Sequence, residues 1–348
     1  MNFQIYEQQF RKKAREKNKN EEYIDSCLNY ARKLHEQGLP VIYDNNHFSK
    51  LVGIRLEYLI SISNSQRNYY RYFTIPKKNG KSRKIAEPLP LLKEVQYFIL
   101  NNIISKIPCS VYSKAYKKGS KLKSNARFHR NKQFLIKMDI EDYFPSLNQN
   151  RVYNFFYSLG YNETVSVLLT KLCTLNDGLP QGAPTSPYLS NLLTKKLDED
   201  IFVYCNENGH LCYTRYADDI SISGDLKPSE TIKNVNKIIA NNGLKINKKK
   251  TVVVPHSKRQ VVTGIVVNEK LQATKDYRRS IRLEMYYCMK YGIDEHILRS
   301  NNISDNEGKY KYCQKMLGKI NYCLQINPKD KNMLSYRDFM ITEINKIQ

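Results

Sequence analysis

Residues 211–223 read Leu-Cys-Tyr-Thr-Arg-Tyr-Ala-Asp-Asp-Ile-Ser-Ile-Ser, and the reading of the fold turns on the pair Asp218-Asp219 at their centre. Strand-like runs flank the pair, Leu211 to Arg215 before it and Ile220 to Ser223 after it, so the acids are expected at the tip of a hairpin. Asp is depleted in strands, and adjacent like charges repel unless a cation lies between them. A divalent metal removes that cost. An isolated Asp pair is equally an ordinary turn, so the rest of the chain must supply the other parts of a metal site.

The 348 residues carry 57 Lys and Arg against 33 Asp and Glu, a net charge of +24. Such an excess points to a polyanionic partner, either nucleic acid or an anionic membrane. No run approaches the roughly 18 apolar residues of a membrane span, and Met1 to Glu22 has no apolar signal-peptide core. A cytoplasmic nucleic-acid binder without a membrane partner is therefore expected. Cysteines at 27, 109, 173, 205, 212, 288, 313 and 323 form no C-x-x-C pair, so free thiols are expected instead of a zinc site or a disulfide framework.

Working outward, residues 1 to about 40 read as one charged helical arm, with Tyr23, Cys27, Ala31 and Leu34 at helical spacing. Tyr69–Pro76, a turn at Lys78-Asn79-Gly80 and Ser82–Glu87 read as strand-turn-strand. Helical periodicity over Leu91–Ile104 is followed by a basic stretch dotted with aromatics, Tyr112–Lys132. Phe134–Ile140 reads as a buried strand delivering Asp139 at its end, and about 149–174 as a helical segment. The loop Gly178–Thr185 leads into a helix with Ser186 as N-cap and Pro187 as first helical residue. A helix over about Pro228–Asn241, strands over Lys250–Val254 and Val261–Val267, and basic helices from about Lys275 complete the chain. This order is an α+β layer whose antiparallel sheet carries acids on one side.

If the strand ending at Asp139 neighbours the Asp218-Asp219 hairpin, three carboxylates converge. Such a cluster suits two Mg²⁺ ions roughly 3.5–4 Å apart, the arrangement for in-line phosphoryl displacement. Mg²⁺ accepts few carboxylates and completes its octahedron with phosphates and water. Taken alone, Asp139 is a strand-end turn residue.

Three segments, Asp139-Ile-Glu-Asp-Tyr-Phe-Pro-Ser146, Leu179-Pro-Gln-Gly-Ala-Pro-Thr-Ser-Pro187 and Tyr216-Ala-Asp-Asp219, have the order and spacing of reverse transcriptases. Asn125-Ala-Arg-Phe-His129 and Val262-Thr-Gly264 resemble signatures of the bacterial retron type. Five ordered motifs spanning roughly residues 70–325 are a far more specific signal than any one of them. The resemblance implies a right-hand polymerase fold: a helical N-terminal arm (1–65), fingers (66–138), a palm (139–268, with a helical finger insertion at about 149–177) and a helical thumb (269–348).

It also implies roles. Asp139, Asp218 and Asp219 would be the catalytic acids and, with the Ile140 carbonyl, the metal ligands, for two Mg²⁺ with Mn²⁺ able to substitute. Phe144 lies at the family's steric gate, where a ring under the sugar leaves no room for a 2′-hydroxyl; by composition alone it reads as a core aromatic. Gln181 and Gly182 would line the nucleotide pocket, Gly182 because the backbone must approach the substrate closely. Arg83 with Lys77 or Lys78 would hold the triphosphate, and Lys250, with Lys248 and Lys249 adjoining, would meet the leaving pyrophosphate. Asn125, Arg127 and His129 in the basic stretch, Val262-Thr263-Gly264, and Arg278 and Arg279 on the thumb would contact RNA. Unaided, these read as a solvated face, a hydrogen-bonded loop histidine and a plain strand with a close-packing Gly. The implied activity is RNA-directed DNA synthesis on a structured non-coding RNA that serves as template and primer. Deoxynucleoside triphosphates are the substrates, and single-stranded DNA branched from an RNA 2′-hydroxyl is the product. An effector protein in anti-phage defence is the family's usual setting. The alternatives are a bacterial defence reverse transcriptase outside the retron type, and a maturase-like RNA-binding protein in which catalysis is secondary.

Overall fold

The computed structural model describes residues 3–76, 80, 82–302 and 304–347, so Lys77 and Lys78 lie outside the described residues. Two compact units make up the chain. The first takes Met1–Lys118, Ile140–Ile201 and Asn236–Asn247; the second takes Gly119–Asp139, Phe202–Val235 and Lys248–Gln348.

In the first unit the charged arm is two helices instead of one, Phe3–Glu16 and Glu21–Glu36. Left-handed Asn18 (φ 54) interrupts it, and the Asn20 side chain accepts the Tyr23 N–H to start the second helix. The buried stripe is Ile24, Leu28, Ala31 and Leu34; Tyr23, expected on it, is 50% exposed because the stripe is phased one residue later. Strands β1 (Tyr70–Pro76) and β2 (Ser82–Pro88) pair antiparallel as a ribbon. The helical segment after Asn148 is also divided, into Gln149–Ser158 and Glu163–Cys173, with Asn162 capping the second piece. The helix Ser186–Leu193 begins one residue earlier than expected: Thr185 flanks it, and Pro187 stands in its first turn.

The second unit is built on a four-stranded antiparallel sheet. Its strands are β3 (Phe134–Asp139), β4 (Cys212–Tyr216), β5 (Asp219–Gly224) and β6 (Val252–Pro255), in the spatial order β4-β5-β3-β6. Opposed residues share a face, so the register settles what each face carries. One face holds Ile136 and Met138 of β3, Ile220 and Ile222 of β5, and Tyr213 and Arg215 of β4. The other holds Asp139 opposite Asp219, Lys137 opposite Ser221, and Ser221 opposite Thr214. The β4–β5 hairpin is as expected, though Asp219 is the first residue of β5 and only Ala217 and Asp218 form the turn.

Two expected strands differ. Lys248–Lys250 is a 3₁₀ turn ahead of β6, and Val261–Val267 divides into β7 (Val261–Val262) and β8 (Ile265–Val266), to which β9 (Gln272–Ala273) pairs. Thr263-Gly264 is the turn between them, with φ of 47° and 81°. Helices Lys275–Tyr291, Asn306–Ile326 and Lys331–Asn345 bury Ile281, Met285, Ile320, Met333 and Met340 against Val262, Ile265 and Leu135. Each such side chain contributes about 1.5–3 kcal/mol of transfer free energy. All eight cysteines are free thiols. Among the described residues, no helix is long and apolar enough to cross a membrane.

Candidate active site

The acids meet at one end of the sheet in the second unit. Asp139 ends β3, Asp219 begins β5, and the two are register partners; Asp218 occupies the turn beside them. Like charges placed directly opposite across a ladder are destabilising. The cost appears in the protonation of Asp218 and Asp219. Burial first, then the charges of Asp219 and Asp139, push the Asp218 carboxyl up to about 6. Asp219 is also shifted up, by loss of hydration and by Asp139, while Lys137 and Lys250 oppose the shift.

Lys250 provides the balancing charge. Its ammonium donates to both oxygens of Asp139 at 2.8 Å, and that hydrogen bond, with the field of all three acids, raises the lysine's own pKa. Lys250 is thus singled out from Lys248 and Lys249, between which the sequence could not choose. Among the described residues, no group of three or more His, Cys, Asp or Glu side chains stands as a ready coordination cluster. Asp139 spends both oxygens on Lys250. The donor set nevertheless fits a hard divalent cation, because three carboxylates share one strand end and an ammonium already bridges one of them.

The hairpin that carries Asp218 is held from both sides. Ala217 is left-handed (φ 58) at the first turn position, where glycine is usual. Arg215, fully buried, donates to the Ala217 carbonyl at 3.0 Å. On the acid-bearing face, His129 bridges the strands, its Nδ1 2.7 Å from Ser223 Oγ and its Nε2 2.7 Å from Thr214 Oγ1. Sequence reading missed Arg215, Thr214 and Ser223. A basic residue inside a strand run was the single available sign of Arg215.

The expected RNA contacts therefore need correction. His129 and Asn125 are 0% and 1% exposed, and the Asn125 amide lies 3.5 Å from Thr263 Oγ1 instead of facing solvent. Val262 is buried in the core, whereas Gly264 is exposed and Thr263 partly so. Arg278 turns inward towards Asp330 at 3.9 Å. Arg127, stacked over the Phe128 ring at 4.9 Å, and Arg279 do face solvent. Burial took the side chains that short motifs singled out and left their basic neighbours outside.

The remaining residues are gathered in the first unit. The Gly178–Gly182 loop joins two elements there. Leu179 N–H bonds the Phe144 carbonyl at 3.1 Å, and Ala86 N–H of β2 bonds the Gln181 carbonyl at 2.8 Å. A Cβ on Gly182 would stand 2.6 Å from the Ala86 carbonyl oxygen, so that glycine is required by the approach to β2. Arg83 is exposed on β2, and the partly buried Phe144 ring meets Tyr143 edge-on at 5.5 Å. Ile140 follows Asp139 in the chain and bridges to Ile246 within this unit.

Comparisons with known proteins give the family. Residues 75–270 match the family of reverse transcriptases (RNA-dependent DNA polymerases), more than half of the chain. The retron Ec86 reverse transcriptase of Escherichia coli is 36% identical over 291 residues, covering 80% of this chain and 88% of that protein. The retron Se72 reverse transcriptase of Salmonella heidelberg is 34% identical over 270 residues, 74% of this chain and 70% of that one. The retron Ec73 reverse transcriptase of Escherichia coli is 32% identical over 295 residues, 79% and 88% of the two chains. The chain belongs to the reverse transcriptase family, in its retron type, and is an RNA-directed DNA polymerase with that family's α+β right-hand fold.

Proposed function

We propose that this polymerase copies part of a cognate structured non-coding RNA into single-stranded DNA, starting from an RNA 2′-hydroxyl, in the cytoplasm and in the service of anti-phage defence with an effector protein. The observation that carries the catalytic half of the reading is the Asp139–Asp219 register pair beside Asp218, with Lys250 on Asp139. The family resemblance carries the rest. Residues 1–65 are the arm, 66–138 the fingers, 139–268 the palm and 269–348 the thumb of this reading.

Asp139, Asp218 and Asp219, with the Ile140 carbonyl, would hold two Mg²⁺, which when bound make the attacking hydroxyl a better nucleophile and stabilise the leaving pyrophosphate. Lys250 has a proton to give and a lowered tendency to lose it while it rests on Asp139. Released from that carboxylate, its ammonium neutralises or protonates the pyrophosphate. Arg83 grips the triphosphate through a planar fork. Phe144 bars a 2′-hydroxyl, and the Gln181-Gly182 loop fixes the gate segment through Leu179. Arg127 and Arg279 are solvent-facing cations for phosphate, giving affinity without sequence information.

The test is to purify the protein from its host and analyse the nucleic acid that accompanies it. A short DNA joined to RNA through a bond opened only by a 2′–5′ debranching activity is expected. Synthesis from an ordinary 3′ end alone would favour a reverse transcriptase of another defence type. Bound RNA without any DNA would favour an RNA-binding protein.

A further inference from the structure

Tyr116 pairs an unfavourable backbone with a half-exposed ring. Its φ is +59, a conformation that puts a bulky side chain against its own carbonyl and is uncommon outside Gly, Asn and Asp. The residue nevertheless remains 42% exposed. The conformation is imposed by its neighbours. Buried Asn191 accepts the Ser113 hydroxyl at 2.6 Å and donates its amide to the Ala115 carbonyl at 2.9 Å, and Lys117 donates to the Ser110 carbonyl. The chain is therefore gripped on both sides of Tyr116.

The imposed conformation brings the ring to Phe144. The Tyr116 ring lies against the Phe144 ring, with centroids 6.2 Å apart and planes at 51°. Phe144 is thus flanked by two tyrosines of opposite character. Tyr143 is buried, its hydroxyl bonded to the Ser190 carbonyl at 3.1 Å and 3.2 Å from Thr194 Oγ1, so it gives a fixed wall. Tyr116 closes the other side from the solvent edge. Backbone strain of this kind clusters at functional sites.

We propose that Tyr116 is a specificity-determining residue that holds the Phe144 ring in place and so sets how strongly a ribose 2′-hydroxyl is rejected. This rests on the reading of Phe144 as the sugar gate. Without the second ring Phe144 gains rotamer freedom on its open side, and a side chain that swings away makes room for one oxygen atom. Discrimination by packing of a single group is modest, so removal of Tyr116 is expected to lower the ratio of deoxy- to ribonucleotide kcat/KM by about tenfold.

The full-length protein is assayed on a primed RNA template with Phe144→Ala, Tyr116→Phe, Tyr116→Ala, Tyr116→Gly and the Phe144→Ala/Tyr116→Gly double variant. Tyr116→Phe keeps the ring and is expected to retain wild-type discrimination. Tyr116→Gly accepts the left-handed backbone, so it is expected to fold with a Tm at or above wild type while losing discrimination. It stands in for Tyr116→Ala should that variant not fold. The double variant is expected to be no less selective than Phe144→Ala alone. If Phe144→Ala relaxes sugar choice and Tyr116→Gly does not, the role of Tyr116 is overturned and the gate stands. If Phe144→Ala itself leaves sugar choice unchanged, both fall together.

Discussion

Two tight hairpins of the second unit, alike in plan, differ in what strains them. In both, two residues join paired strands: Ala217-Asp218 between β4 and β5, and Thr263-Gly264 between β7 and β8. Both place a non-glycine residue at φ above zero, Ala217 at 58° and Thr263 at 47°. One short segment serves both, His129 reaching the strands of the first and Asn125 approaching Thr263 of the second. The first carries electrostatic strain from facing acids and is braced by Arg215, His129 and Lys250. The second carries steric strain from a β-branched residue and is anchored by flanking Val262 and Ile265 in the helical core. Charge that has to be kept for chemistry is held by polar side chains, whereas steric strain at an uncharged turn is held by the apolar packing of its neighbours.

Removing the charge gives the largest expected effect. Asp218→Asn with Asp219→Asn should lower DNA synthesis by at least about 10³-fold, since the cation site loses two of its three carboxylates. RNA affinity, measured by filter binding, should stay near wild type. Synthesis at the normal rate in this variant would remove the acid hairpin from the chemistry.

Next is the brace. His129→Ala should destabilise by about 2 kcal/mol in urea unfolding, because two buried hydroxyls lose a partner. It should also slow incorporation more than it weakens RNA binding. Ser223→Ala and Thr214→Val should each reproduce part of the effect. A loss confined to RNA affinity would return His129 to the interface.

A smaller effect concerns protonation of the acid hairpin without metal. The Asp218 pKa rises on folding from 3.8 to about 6, so the folded state holds a proton that the unfolded chain releases. The resulting penalty is absent below pH 3.8, grows through the interval and is fully present above about 6. In chelator at pH 7, Asp218→Asn should therefore raise Tm by about 2 °C, with the gain vanishing near pH 4. A gain of the same size at both pH values would place the strain elsewhere.

The smallest effect lies in the uncharged hairpin. Thr263→Gly should stabilise by about 1 kcal/mol by accepting the left-handed backbone. A loss of stability would show that the Asn125 contact outweighs the steric strain.

Much of this was legible beforehand. Strand-like runs on either side of Asp218-Asp219 marked the β4–β5 hairpin, and Pro228–Asn241 is a helix at its expected bounds. Periodicity failed at Asn18 and Asn162, because a left-handed residue ends one helix, and a side chain that accepts a backbone N–H starts another, without disturbing the apolar spacing. The Val262-Thr263-Gly264 run read as strand because β-branched residues favour strands, yet the pairing of β7 with β8 makes its centre a turn.

By itself the sequence determined the chemistry that is available: three acids, a lysine cluster, an aromatic after the first acid and a basic surplus for a polyanion. Residue type and order suffice for that, because each side chain brings its functional group wherever the chain places it. The tertiary structure alone decided which lysine meets Asp139, that Arg215 and His129 support the acid hairpin from inside, and that Gly182 answers to Ala86. Those outcomes depend on register and burial, which are set by contacts between residues distant in the chain.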